Sequence, residues 1–175
     1  LNIRLIFILL GVILWGCERT PPPPESAGSY FSLDNYFGKE IERLNLKQPL
    51  VEKTVKKNDQ QEKRSLKELD WAVELKAFKS SDINKPAWRN SYSADSTEGS
   101  VVYTATEDGL RVRTIRIRQN PEGRILSIVI ERAEENYLYT SNELLKYYPD
   151  SLYFIERHQK VRVLGPDAFQ VSGRF

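Results

Sequence analysis

The chain has 175 residues, 26 Lys and Arg against 24 Asp and Glu, a formal net charge of +2, one Cys and one His. Nucleic acid rewards a concentrated basic field, so this near-neutral balance argues against such a partner. A single thiol and a single imidazole exclude an intramolecular disulfide and the ligand sets of a structural zinc site.

Arg4 supplies a positive start, residues 5–15 carry no charged or polar side chain, and the small Gly16 precedes Cys17. That is the layout of a signal peptide over residues 1–16. The run falls short of the roughly 20 apolar residues of a spanning helix. Leu14-Trp15-Gly16-Cys17 resembles the lipobox of bacterial lipoproteins. The resemblance implies cleavage before Cys17, a diacylglycerol on its thiol and an acyl chain on the freed amine. One chain of about fourteen carbons holds a protein only reversibly, whereas two or three hold it lastingly. Glu18 stands where an Asp marks many lipoproteins for the inner membrane, so the expected address is the outer membrane, facing the periplasm. Residues 17–29, with prolines at 21–24, read as the lipidated Cys and a semi-rigid tether. Residues 30–175 are expected to form one globular α+β domain.

Leu33, Phe37, Ile41 and Leu44 recur at helical spacing behind a capping Ser32, with Phe31 and Tyr36 placed as a hydrophobic staple. Ser65-Leu66-Lys67-Glu68 reads as the capping box of a second helix carrying Leu69, Trp71, Val73, Leu75 and Phe78. Between them, 49–57 and 62–65 fit a charged hairpin. From residue 101 the pattern alternates with period two. Strands are expected over 101–106, 110–118, 124–132, 137–140, 152–164 and 168–175, with a helical turn over 142–148. Leu110 and Val112 are out of phase with Ile115 and Ile117, which a β-bulge near Arg113-Thr114 reconciles. The expected fold is two N-terminal helices packed on a curved antiparallel β-meander.

Chemistry-bearing residues are sparse. His158 shares the polar parity of its strand with Glu156, Lys160 and Arg162, and no Gly-x-Ser-x-Gly elbow accompanies it. A solvated surface role is favoured over a catalytic one. Asp70 with Glu74 and Glu134 with Glu135 read as solvated pairs, because acid–base catalysis needs carboxylates set around a substrate. No Ca-loop or phosphate-loop spacing occurs, and neither metal nor cofactor is expected. Arg111, Arg113, Arg116 and Arg118 fall along the non-core side of one strand, a row that glycan carboxylates, lipid headgroups or an acidic protein could use. Pairing with cross-strand acids such as Glu131 is the simpler role. Trp88 and Arg89, in the segment 82–89, form a second candidate surface, with Trp88 equally suited to plug the sheet. Asp95-Ser96-Thr97 and Asp150-Ser151-Leu152 resemble the O-glycosylation acceptors of exported Bacteroidota proteins, which makes Ser96 and Ser151 candidate acceptors in expected loops.

The segment 82–89 and the tail at 148–153 and 172–175 resemble the small lipoproteins of the Bacteroidota, a set that implies a compartment and brings no activity. The expected function is a non-enzymatic envelope accessory or binding module for a protein or glycan. A carrier of an apolar ligand between sheet and helices is the alternative, and a hydrolase using carboxylates comes third.

Overall fold

The computed structural model describes residues 30–175; the expected signal peptide, Cys17 and the expected tether lie outside the described residues. Helix α1 spans Leu33–Lys47 and buries Leu33, Phe37 and Leu44. The Ser32 hydroxyl accepts from the Asn35 N–H at its start, and Gln48 ends it in the left-handed region at φ 43°. Asp82 adds a second cap, its carboxylate accepting from the Asp34 N–H at 2.8 Å and the Ser32 hydroxyl at 3.0 Å. A carboxylate here satisfies free donors and complements the helix dipole.

The rest is mostly β. Strands β1 (Val51–Lys57), β2 (Gln60–Leu66), β3 (Tyr92–Thr97), β4 (Ser100–Ala105), β5 (Val112–Gln119), β6 (Ile125–Glu135), β7 (Tyr139–Tyr148), β8 (Leu152–Val161) and β9 (Gly165–Arg174) form one sheet. Its order is β2-β1-β9-β8-β7-β6-β5-β4-β3, and every pairing is antiparallel. Strands β3 to β9 therefore follow one another as neighbours, while the β1–β2 hairpin joins the outer edge of β9.

This architecture overturns the α+β expectation of two N-terminal helices packed on a meander. Among the described residues α1 is the one helix longer than a single turn; α2 (Trp71–Glu74) and α3 (Lys76–Lys79) are four residues each. Ser65 and Leu66 end β2 instead of opening a helix, and the true cap is Asp70, whose carboxylate accepts from the N–H groups of Ala72 and Val73. The expected helical turn at 142–148 lies within β7. There Leu145 and Tyr147 point into the core, while Leu144 and Lys146 stay half-buried on the other side. Strand β3 had no expectation at all. The bulge is present: the β5–β6 register shifts between Val112 and Thr114, leaving Arg113 as the extra residue.

The core lies between one sheet face and the helical segments. Cross-strand rows on that face carry Ile115, Ile130, Leu145, Ile155 and Val171, then Ile117, Ile128, Tyr147 and Tyr153. Phe37, Trp71, Leu75, Phe78 and Ile83 pack onto them. Fully burying each large apolar side chain is worth about 1.5–3 kcal/mol. Rings fill the space between the layers: Phe37 lies 5.1 Å from Tyr147 and 5.2 Å from Phe78, and Trp71 lies 6.1 Å from Tyr153.

Three polar clamps fix the helical layer. Tyr147 donates to Glu40 at 2.5 Å, and Glu40 also pairs with Arg43. Tyr153 donates to Glu74 at 2.5 Å, and Glu74 pairs with Lys53. Arg132, 7 % exposed, pairs with Glu143 and donates to the Ala77 carbonyl at 3.1 Å and the Ser81 hydroxyl at 3.2 Å. Burial pulls the Arg132 guanidinium below its usual value, against the opposing pull of Glu143. A buried charge is tolerated where it is paired and hydrogen-bonded in this way.

Candidate functional site: the uncovered sheet face

The side of the sheet opposite the helices is uncovered among the described residues, and antiparallel register fixes which side chains share it. One row reads Val102, Arg116, Val129, Lys146, Phe154, Ser172, Thr54 and Lys63. On the same face, nearer the turns β5–β6 and β7–β8, lie Arg118, Tyr148, Leu152, Arg174, Glu52 and Ser65. Arg116, Arg118, Lys63 and Arg174 are exposed and form no ion pair with the described residues. Lys146 stands over the half-buried Phe154 ring, 5.5 Å from its centre. Around Thr54, Lys63, Ser65, Ser172 and Arg174 the surface sinks into a hollow of about 330 Å³.

Farther along the strands acidic side chains join the face. Glu131 and Glu156 sit in the next row, and His158, 63 % exposed, lies 3.5 Å from Glu156. Both signs are present on the face: Lys56 on β1 belongs to the row of Glu131 and Glu156, and Glu52 stands opposite Arg174.

The four arginines expected in one row are divided. Arg111 pairs with Glu134 at 3.6 Å and Glu143 at 3.5 Å. Arg113, set apart by the bulge, donates to the Glu107 carbonyl at 3.2 Å. Arg116 and Arg118 remain on the open face, and Glu131 forms no ion pair with either. Trp88 is half-buried and packed against the core, with the Lys85 ammonium 4.1 Å from its ring centre. Arg89 is exposed, and its carbonyl accepts from the Tyr30 hydroxyl at 2.8 Å. Ser96 is exposed on the edge strand β3 rather than in a loop, and Ser151 is exposed in the β7–β8 turn. Cys17 lies outside the described residues.

Sequence reasoning missed Lys63, Lys146 and Arg174, because they come from three distant segments that only the register β2-β1-β9-β8-β7 brings onto one face. A second hollow, about 820 Å³, opens on the helix side where α1 leaves β4 and β5 bare. Its aromatic wall is Tyr30, Phe31, Tyr36 and Tyr103. The polar groups of Tyr30, Tyr103 and Asn84 are engaged in holding the segment that leads into α1: the Phe31 N–H donates to the Tyr103 hydroxyl and the Tyr30 N–H to Asn84. Among the described residues no three His, Asp or Glu side chains converge as metal ligands would. No protein-family model, curated protein or solved structure matches the chain.

Proposed function

We propose that the chain is a lipid-anchored protein of the cell envelope, held at the periplasmic side of the outer membrane through Cys17, and that its folded part is a non-enzymatic binding module. The partner lies along the uncovered face and is acidic, a glycan in the first place. The observation that carries this reading is the run of cations that form no ion pair with the described residues, at two-strand intervals from β5 through β7 and β9 to β2, with Glu52 the one acidic residue directly opposite them, at Arg174.

Adjacent strands lie about 4.8 Å apart, so Arg116, Lys146, Arg174 and Lys63 recur about every 10 Å. Duplex nucleic acid carries a charge every ~1.7 Å and rewards dense neutralisation, which this run is too sparse to give. Strand twist of roughly 20° per step fans the cations into a spiral that a flexible chain follows better than a rigid rod. A glycan bearing one carboxylate or phosphate per disaccharide suits both features. Guanidinium forks pair with its acids, and Phe154 and Leu152 offer apolar platforms between them.

Affinity electrophoresis of the mature protein tests this, with hyaluronan, one carboxylate per disaccharide, in one gel and neutral dextran in another. Hyaluronan is expected to retard the protein, and Arg116→Glu with Arg174→Glu to abolish the retardation. Equal mobility in both gels overturns the glycan reading.

A further inference from the structure

Four of the large apolar side chains exposed among the described residues gather at one end of the sheet; Leu46, Leu50 and Leu126 are exposed elsewhere. Tyr137 and Leu138, in the β6–β7 turn, are 78 % and 65 % exposed; Val163 and Leu164, in the β8–β9 turn, are 90 % and 85 % exposed. Strands β7 and β8 are neighbours, so the two tips stand side by side. They are bonded together. The Arg162 N–H donates to the Leu138 carbonyl at 3.1 Å, and the Arg162 guanidinium lies 4.5 Å from the centre of the Tyr137 ring. Asn136 shapes the first tip, its side-chain oxygen accepting from the Leu138 and Tyr139 N–H groups at 2.9 and 3.0 Å. The neighbouring β1–β2 turn, Asn58-Asp59, is polar, tied to Ala168 at both Asn58 N–H and side chain.

Clustered large apolar groups on a surface mark a place that is covered in use. A protein partner asks for a broad, complementary patch with a polar rim. Two adjoining convex tips present a small area that protrudes, and a fluid surface moulds to it. Their chemistry is that of the membrane boundary: a tyrosine ring at headgroup depth beside a guanidinium that reaches back to phosphate. Turn backbone is not tolerated in hydrocarbon, so entry stops at side-chain depth.

We propose that these tips form a second, shallow contact with the bilayer, which turns this end of the sheet toward the membrane. The inference rests on the lipid-anchor reading, and the chain length allows it. Twelve residues separate Cys17 from Tyr30, and an extended stretch of that length reaches about 37 Å. Tyr30 is bonded to Tyr92 on β3 and, through Phe31, linked to Tyr103 on β4. Those strands lie three to five positions from β7 and β8, or about 15–25 Å. Anchor and tips can therefore meet the same surface.

The single native thiol supplies the test. In the anchored, full protein Cys17 is acylated, so Val163→Cys gives one free thiol for an environment-sensitive fluorophore, with Glu98→Cys in the β3–β4 turn as the reference. The protein is placed in vesicles of phosphatidylethanolamine and phosphatidylglycerol carrying nitroxide-labelled acyl chains. The fluorophore at 163 is expected to shift to the blue and to be quenched several-fold more than that at 98. Equal, weak quenching at both positions overturns the proposal. A blue shift without lipid quenching, lost when the protein is diluted among vesicles, also overturns it and assigns the tips to contact between copies. Failure of the anchor reads separately, as two labelled thiols per chain and release from the vesicles.

Discussion

Tyr147 and Tyr153 face each other across β7 and β8, and each places a phenol inside the core. Burial first, then the Glu40 and Glu74 carboxylates that accept their hydrogen bonds, push both phenols well above the usual range. The Tyr153 ring also covers Gly173, its partner on β9. A Cβ added at Gly173 would overlap Tyr153 Cε1, so the ring must leave its place. We expect Gly173→Ala to cost about 1–3 kcal/mol, read as a lower urea midpoint. In a Tyr153→Ala background the same substitution should add little, because the obstructing ring is gone; an undiminished cost there would contradict the contact.

At the scale of elements, legibility followed periodicity. Helix α1 was readable because Leu33, Phe37 and Leu44 are buried at the spacing that announced them, behind the cap that announced them. The second helix misled because Ser65-Leu66-Lys67-Glu68 satisfies a capping box in letters while β2 claims Ser65 and Leu66 as ladder partners of Glu52 and Val51. Val73, counted in its apolar face, is 64 % exposed. Within the expected helical turn at 142–148, Leu144 and Leu145 lie on the two faces of one strand. Strand β3 offers one buried residue, Tyr92, in a polar run, and its existence depends on pairing with β4. The competing caps can be separated directly. Asp70→Ala should lower stability by about 1 kcal/mol, whereas Ser65→Ala should stay within about 0.5 kcal/mol of the parent by chemical denaturation. Equal effects would restore the capping box.

Among the described residues the sheet is a single layer with one face packed and one bare, and the cationic run is a property of that layer rather than of any segment. Arg116 and Arg118 could be read in sequence; Lys146 and Arg174 join them through the meander, and the alignment of Lys63 depends on β9 pairing with β1, which no local pattern encodes. The packed face also sets a pH response. Tyr36, Tyr147 and Tyr153 are all raised, burial being the main cause in each. A raised phenol favours the folded state fully below the unfolded value of about 10 and loses that advantage as pH climbs toward the folded value. Alkaline titration should therefore give a tyrosinate absorbance step above about pH 10 that coincides with loss of circular dichroism. A smooth absorbance rise with the dichroism intact would contradict it.

The junction of β1 with β9 also imposes an order on assembly. Its partners are more than a hundred positions apart, Glu52 meeting Arg174 and Lys57 meeting Phe169. Until Gly165–Arg174 has been synthesised, β1 has β2 alone, and an isolated two-stranded hairpin is marginal in water. Such long-range closure is slow. Until then the β1–β2 hairpin remains an unfinished edge, and its lysines and glutamates discourage strand addition from other molecules before β9 arrives.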